Sequence, residues 1–256
     1  RKVLSIFLVL RSLTLGNFRA LYSSFFGMFT EHLNAFELGY QSIFLIVSNV
    51  VIFGFGIAYY KKKIPSLAQG VVEKIRTFEI SKRVAMISLA VILCVYVGLA
   101  TPELFLDEGK TWNDYNAVLL PALEIWPFGE SDNVYIQEQN DRYVRMFLLD
   151  VSFDIFQNIK LLPFIASILV VVFTYLITVQ FCQKRFAGII AVIVLLQSYT
   201  WLKFDTVAVY ENFWVLFFLI SLYMIEKKWF LSPVFYILAF YTKAYVAPFF
   251  LMTLFT

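Results

Sequence analysis

Three carboxylates, Asp107, Glu108 and Asp114, fall within the eight residues "DEGKTWND", just beyond an apolar run from Val84 to Ala100. A carboxylate held beside a bound hydroxyl can take its proton as a general base. Cationic side chains are the usual partners of a phosphate that carries negative charge as it leaves. The chain offers such cations in Arg142 and Arg145 of "DRYVRMF" and in Lys243 of "LAFYTKAYVAP", with Glu211 in the apolar setting "YENFWVLFF". Acids beside a membrane-depth cation suit a reaction on a sugar donor linked to a lipid phosphate. A plainer reading is equally open on the charges alone. In it Asp107 and Glu108 form a solvated loop end, and Lys243 pairs with Glu211 to hold helices together.

The elements that must position these residues are helices in a bilayer. The chain is 61% apolar with 29 phenylalanines and a mean hydropathy of +0.76, against roughly 45–50% apolar in a soluble domain. Apolar windows of spanning length recur, and the alternating ten-residue pattern of an outer-membrane barrel does not. The expected fold is therefore all-α, a polytopic transmembrane helix bundle. Spans are predicted at 41–60, 84–100, 161–181, 186–202 and 207–225, with a sixth starting near Trp229. The segment "VLSIFLVLRSLTLGNFRALYSSFFGMF" is interrupted by Arg11 and Arg19. It reads as a poor span or an amphipathic interfacial helix.

Basic loops set the orientation. "YYKKK" with Lys74, Arg76, Lys82 and Arg83, then "QKR", then "EKK", fall on one side if each span crosses once. That side is predicted to be cytoplasmic. The loop from Thr101 to Lys160 is then external or lumenal, with eleven of the chain's eighteen acids and four basic residues. Lys243 lies about fourteen residues into its span, roughly 20 Å across at ~1.5 Å per residue, in the outer half. An unpaired charge there costs at least ~2.5–3.5 kcal/mol, so a partner or a wet cavity is expected.

The external loop is too long for a plain connection and too apolar for disorder. "WNDYNAVLLPALEIW" and "RYVRMFLLDVSFDIF" read as two interfacial helices roofing a cavity, the second carrying Arg142, Arg145, Asp150 and Asp154 on one half. Pro127, Gly129 and the polar run to Asn140 mark the turn between them.

Other chemistries find little footing. Cys94 and Cys182 lie in or at the end of apolar spans and give no disulfide framework. His32 is the only histidine, which argues against a histidine-based metal site, and no N-x-S/T sequon occurs. Clustered carboxylates are compatible with a divalent metal. Hard cations need more oxygens than the cluster assigns, so no cofactor is named. No nucleic-acid partner is expected. A transporter is disfavoured, because no pair of spans is broken by Gly and Pro in corresponding positions. The chain starts at Arg1 and stops at Thr256 inside an apolar run, so it reads as part of a longer protein.

From Val84 onward the sequence resembles the GT-C superfamily of integral-membrane glycosyltransferases, nearest to the protein O-mannosyltransferase and aminoarabinose-transferase branch. The matching features are "LFLDEGKTW" after a first span, "QKRFAGIIAVIVLLQSYTW", the acid of "YENFWVLFFLISLY", and "LAFYTKAYVAP", which looks like the family's "ALLTKG". Ala244 stands where the family has Gly, and residues 1–83 form an N-terminal extension outside the common core of 84–256. The resemblance implies transfer of a sugar from a polyprenyl-phosphate donor to a protein, lipid or glycan acceptor at the external face. It implies Asp107 as base with Glu108 in support, Lys243 on the donor phosphate, and Glu211 lining the substrate cavity. Asp114 is left as a polar position on the first surface helix. The competing expectation is a non-catalytic membrane subunit packed against other subunits and lipid, with Trp112, Trp126 and Trp229 as interfacial anchors.

Overall fold

The computed structural model describes residues 77–244 without a break, together with Val246 and eight scattered positions between Val50 and Lys74. The expected N-terminal segment with Arg11 and Arg19 lies outside the described residues, as do most of the span at 41–60 and the chain beyond Val246. Every regular element among the described residues is helical.

Helix α1, Lys82–Ala100, begins where the Ser81 hydroxyl accepts the Val84 amide. It runs on through a 3₁₀ turn, Thr101–Phe105, so that 82–105 forms one apolar rod of 24 residues. A short 3₁₀ turn (Glu108–Lys110) and a π turn (Tyr115–Leu119) lead into α2, Leu120–Ile125. The chain turns at Pro127 to Gly129 and continues as α3, Val134–Asn140, and α4, Tyr143–Phe156. Helix α5, Leu161–Cys182, is the second rod long and apolar enough to cross a bilayer. Then come α6, Arg185–Leu196; α7, Tyr199–Phe204; α8, Phe213–Lys227; and α9, Ser232–Thr242.

The centre of the bundle is α5. One side carries Phe164, Val171 and Tyr175 into a core with Ala85 and Leu89 of α1 and Ile189 and Val192 of α6. The other carries Ala166 and Val170 into a core with Met146 and Leu149 of α4 and Phe213 and Leu216 of α8. Helices α5 and α6 approach closely at Gly188, where a Cβ would come within 2.7 Å of Tyr175 and Val179. The glycine of the "QKRFAG" motif therefore has a packing reason. Met86, Ile87, Val91, Val95 and Leu99 of α1 remain exposed.

Several elements depart from the sequence expectation. The predicted span 186–202 is two helices, broken at Gln197, with Ser198 accepting the Trp201 amide to start α7. The predicted span 207–225 becomes helical only at Phe213. The segment before it is loop, because its amides and carbonyls are taken by side chains described below. The polar run before Asn140 is itself a helix, started by Asn133, whose side chain accepts the Tyr135 amide. On α4 the charged residues do not share a wet face: Arg145 is buried with Met146 and Leu149, while Asp154 is exposed.

Candidate functional site: two cavities flanking the Ala208–Val209 segment

The site is built on the loop between α7 and α8. With no helix to satisfy it, the backbone of Ala208 and Val209 must find partners elsewhere. Glu108 supplies the acceptors: Oε2 takes the Ala208 amide at 3.0 Å and Oε1 the Val209 amide at 2.8 Å. Arg145 supplies the donors, its Nη2 reaching the Ala208 carbonyl at 3.2 Å and the Val209 carbonyl at 2.9 Å. Arg145 Nε also donates to Glu211 Oε2 at 2.7 Å, in an ion pair only 2% and 1% exposed. Gln139 Oε1 accepts from both Arg145 and Arg142. Glu108, about 100 positions upstream, and Arg145, about 63, thus lock one two-residue segment from both edges.

A cavity of about 420 Å³ lies on the arginine side, lined by Arg142, Arg145, Lys243, Asp114, Tyr210 and Val209, with Val118 and Leu119 as apolar wall. Lys243 stands where α9 ends, near enough to Glu211, Arg145 and Arg142 to feel their charges. Asp114 is held at this cavity by the Tyr210 hydroxyl, which donates to it at 3.1 Å. Tyr210 in turn packs edge-on against Trp112 and Phe204.

A smaller cavity of about 240 Å³ lies on the glutamate side, lined by Asp107, Glu108, Tyr115, Asn158 and Lys160 among others. Asp107 caps the 3₁₀ turn, accepting the Gly109 amide at 3.0 Å, and stays largely exposed with Lys110 3.9 Å away. Burial pushes the Glu108 carboxyl above the ordinary carboxylate range. The two amides, and then Lys160 and Arg145, pull it partway back. Burial and the neighbouring Glu108 and Asp107 raise the Tyr115 phenol, so Tyr115 remains a hydroxyl donor at neutral pH.

The structure therefore brings Arg142, Arg145 and Lys243 together at one cavity and places Asp107 in the other, whereas Glu211, expected to line the substrate cavity, lines neither and is buried in its ion pair with Arg145. Glu108 lies between the two cavities as a clamp on the backbone. Glu211 is engaged by Arg145 directly, an ion pair across 66 residues that no local pattern announces. Tyr210, Gln139, Asn158 and Lys160 were not singled out by sequence, and Asp114, set aside there as a polar surface position, lines the larger cavity. Lys160 carried one usable signal, a cation at the start of an apolar helix on the expected outer side, where neither the positive-inside rule nor the helix dipole favours it. Among the described residues no group of three or more His, Cys, Asp or Glu is placed to hold a metal ion. No family model matches the chain, and no curated protein or solved structure matches it.

Proposed function

We propose that the chain is the core of a membrane glycosyltransferase that moves a sugar from a polyprenyl-phosphate donor to an acceptor at the outer face. The observation that carries this reading is the larger cavity, where Arg142, Arg145 and Lys243 converge over Val118, Leu119 and Val209. Cations above an apolar wall match the phosphate and the first carbons of a lipid-linked donor. The exposed apolar side of α1 and the lengths of α1 and α5 suit a chain embedded in lipid. In this reading the bundle crosses the membrane several times, with the basic loops cytoplasmic and the loop 101–160 outside.

Asp107 is the base in this scheme. The acceptor hydroxyl gives its proton to Asp107 as its oxygen bonds to the anomeric carbon. The bond from that carbon to the phosphate oxygen breaks, and the polyprenyl phosphate leaves with the electron pair, stabilised by Arg142 and Lys243. A single displacement needs nucleophile and leaving group on opposite faces of the sugar. Asp107 lines the smaller cavity and the cations the larger, and the scheme has the sugar bridge the two with its anomeric carbon between acid and phosphate. Glu108 supports the base by fixing the Ala208–Val209 segment.

The test is transfer of sugar from a polyprenyl-phosphate donor by the full chain in lipid. Asp107→Asn is expected to lower the rate by about 10²-fold or more while leaving thermal unfolding unchanged. Undiminished transfer by that variant would remove Asp107 from the chemistry. Arg142→Ala and Lys243→Ala are expected to weaken binding of polyprenyl phosphate itself. If the network merely joins helices, as in a non-catalytic subunit, the wild type neither binds that lipid nor transfers sugar.

A further inference from the structure

Lys160 occupies an electrostatically poor position. It is the residue immediately before α5, where the helix dipole presents positive charge. It is also 93% buried, its residual exposure being 7%. The rest of the fold explains it. Its ammonium turns away from α5 and donates to the Glu103 carbonyl at 2.8 Å and the Leu106 carbonyl at 2.8 Å. Asn158 Nδ2 adds a bond to the Leu104 carbonyl at 3.2 Å, and its Oδ1 accepts the Lys160 amide at 2.9 Å. Ser152 completes the bracket, donating to the Asn158 carbonyl at 2.7 Å and accepting the Leu162 amide at 3.0 Å.

These carbonyls lie at the end of the α1 rod, where backbone donors run short; the Glu103 carbonyl also accepts the Leu106 amide at 3.2 Å. A cation there is favoured by the dipole of α1, which offsets the cost at α5. The last bracketed carbonyl, on Leu106, immediately precedes Asp107. Burial lowers the ammonium's basicity, and Glu108, Glu103 and Asp107 around it act in the opposite sense.

We infer that Lys160 is a positioning residue for the proposed transfer, its ammonium fixing the turn that presents Asp107 and Glu108. The inference rests on the glycosyltransferase reading for its effect on rate, though not for its effect on the turn. Without the bracket the turn is held mainly through the Glu108 bonds to the Ala208 and Val209 amides, and Asp107 beside it can shift about Phe105–Leu106. A shift of about 1 Å in a reacting group can cost on the order of 10²-fold in rate.

Lys160→Met, Lys160→Gln and Lys160→Arg, assayed as full chains in lipid and normalised to folded protein, test this. Lys160→Met is expected to lower kcat by roughly 10–100-fold with the donor KM little changed. Lys160→Arg, which keeps a cation and its donors, is expected to recover most of the rate. Lys160→Gln serves if the methionine variant does not fold, since it keeps a donor without the charge. Amide hydrogen exchange should accelerate at 103–110 in the Met or Gln variant and stay unchanged in α9. A kcat within twofold of wild type in folded Lys160→Met, or unchanged exchange at 103–110, overturns the inference. Absence of transfer by the wild type would sink the glycosyltransferase reading instead. Faster exchange at 103–110 in the variants would still uphold Lys160 as the fixing residue of that turn.

Discussion

Two buried acids, Glu108 and Asp205, meet opposite fates a few residues apart in space and teach what burial alone does not decide. Glu108 is 5% exposed, and both of its oxygens accept backbone amides within reach of Lys160 and Arg145. Asp205, 1% exposed at the end of α7, has both carboxyl oxygens buried without a hydrogen-bond partner. The Tyr96 hydroxyl faces it without reaching full hydrogen-bond geometry, and Trp201 Nε1 beside Tyr96 is buried without a partner as well. Glu103, the nearest other charge, is itself an acid and accepts from the Thr206 hydroxyl at 3.1 Å. Burial pushes Asp205 up from 3.8 to about 6 with Glu103 adding to it, against the pull of Tyr96 and of the Asp205 and Thr206 amides. An acid given two amides and two cations becomes a structural clamp. An acid with amides and a phenol nearby but no completed hydrogen bond, and another acid instead of a cation, becomes a weak point.

The sharpest way to break the clamp is at its cationic end. Arg145→Met leaves Glu211 charged and buried and frees two carbonyls, and is expected to cost about 3–5 kcal/mol in reversible unfolding. Restored stability in the double variant with Glu211→Gln would identify the stranded charge as the cause. Glu108→Ala removes the acceptor of two buried amides and should cost about 2–4 kcal/mol, with faster amide exchange at Ala208 and Val209. An unchanged exchange rate there would mean that the clamp does not hold the segment.

The weak point should respond with the opposite sign. Between pH 3.8 and about 6 folded Asp205 retains a proton that the unfolded chain has released. Stability attributable to this group therefore falls as pH rises through that window and is flat above it. Asp205→Asn is expected to raise stability above pH 6 by about 1–3 kcal/mol, with the gain fading toward pH 4. Melting temperatures of both proteins across that range decide it, and a gain that grows on acidification would contradict the assignment. The smallest effect belongs to the exposed pair of Lys110 and Asp107, 3.9 Å apart. Lys110→Ala should change stability by less than about 0.5 kcal/mol, and a larger loss would mean that the turn depends on the pair rather than on Lys160.

Much of the scaffold was legible in sequence for a physical reason: helix formation and burial in an apolar phase are local properties of a run of side chains. The runs at 84–100 and 161–181 are the two long rods, within one or two residues at their starts. "RYVRMFLLDVSFDIF" is helical from Tyr143 to Phe156. The break at Gln197–Ser198 was less legible, because the capping signal of a single serine was set against seventeen mostly apolar residues. The loop before Phe213 was not legible at all. Its apolar side chains read as helix, and only the distant Glu108 and Arg145 make a non-helical backbone affordable there.

The sequence by itself determined an all-helical, apolar chain with acids clustered after the first rod and cations placed to need partners. Composition and periodicity act within a few residues, so they carry that much. Which acid meets which cation was decided only by the tertiary structure. It paired Arg145 with Glu211, turned Glu108 and Lys160 onto backbone groups, and left Asp205 among Tyr96, Trp201 and Glu103. Charge attraction has no sequence range, and a buried polar group takes whatever partner the packing of α1, α4 and α5 brings within about 3 Å.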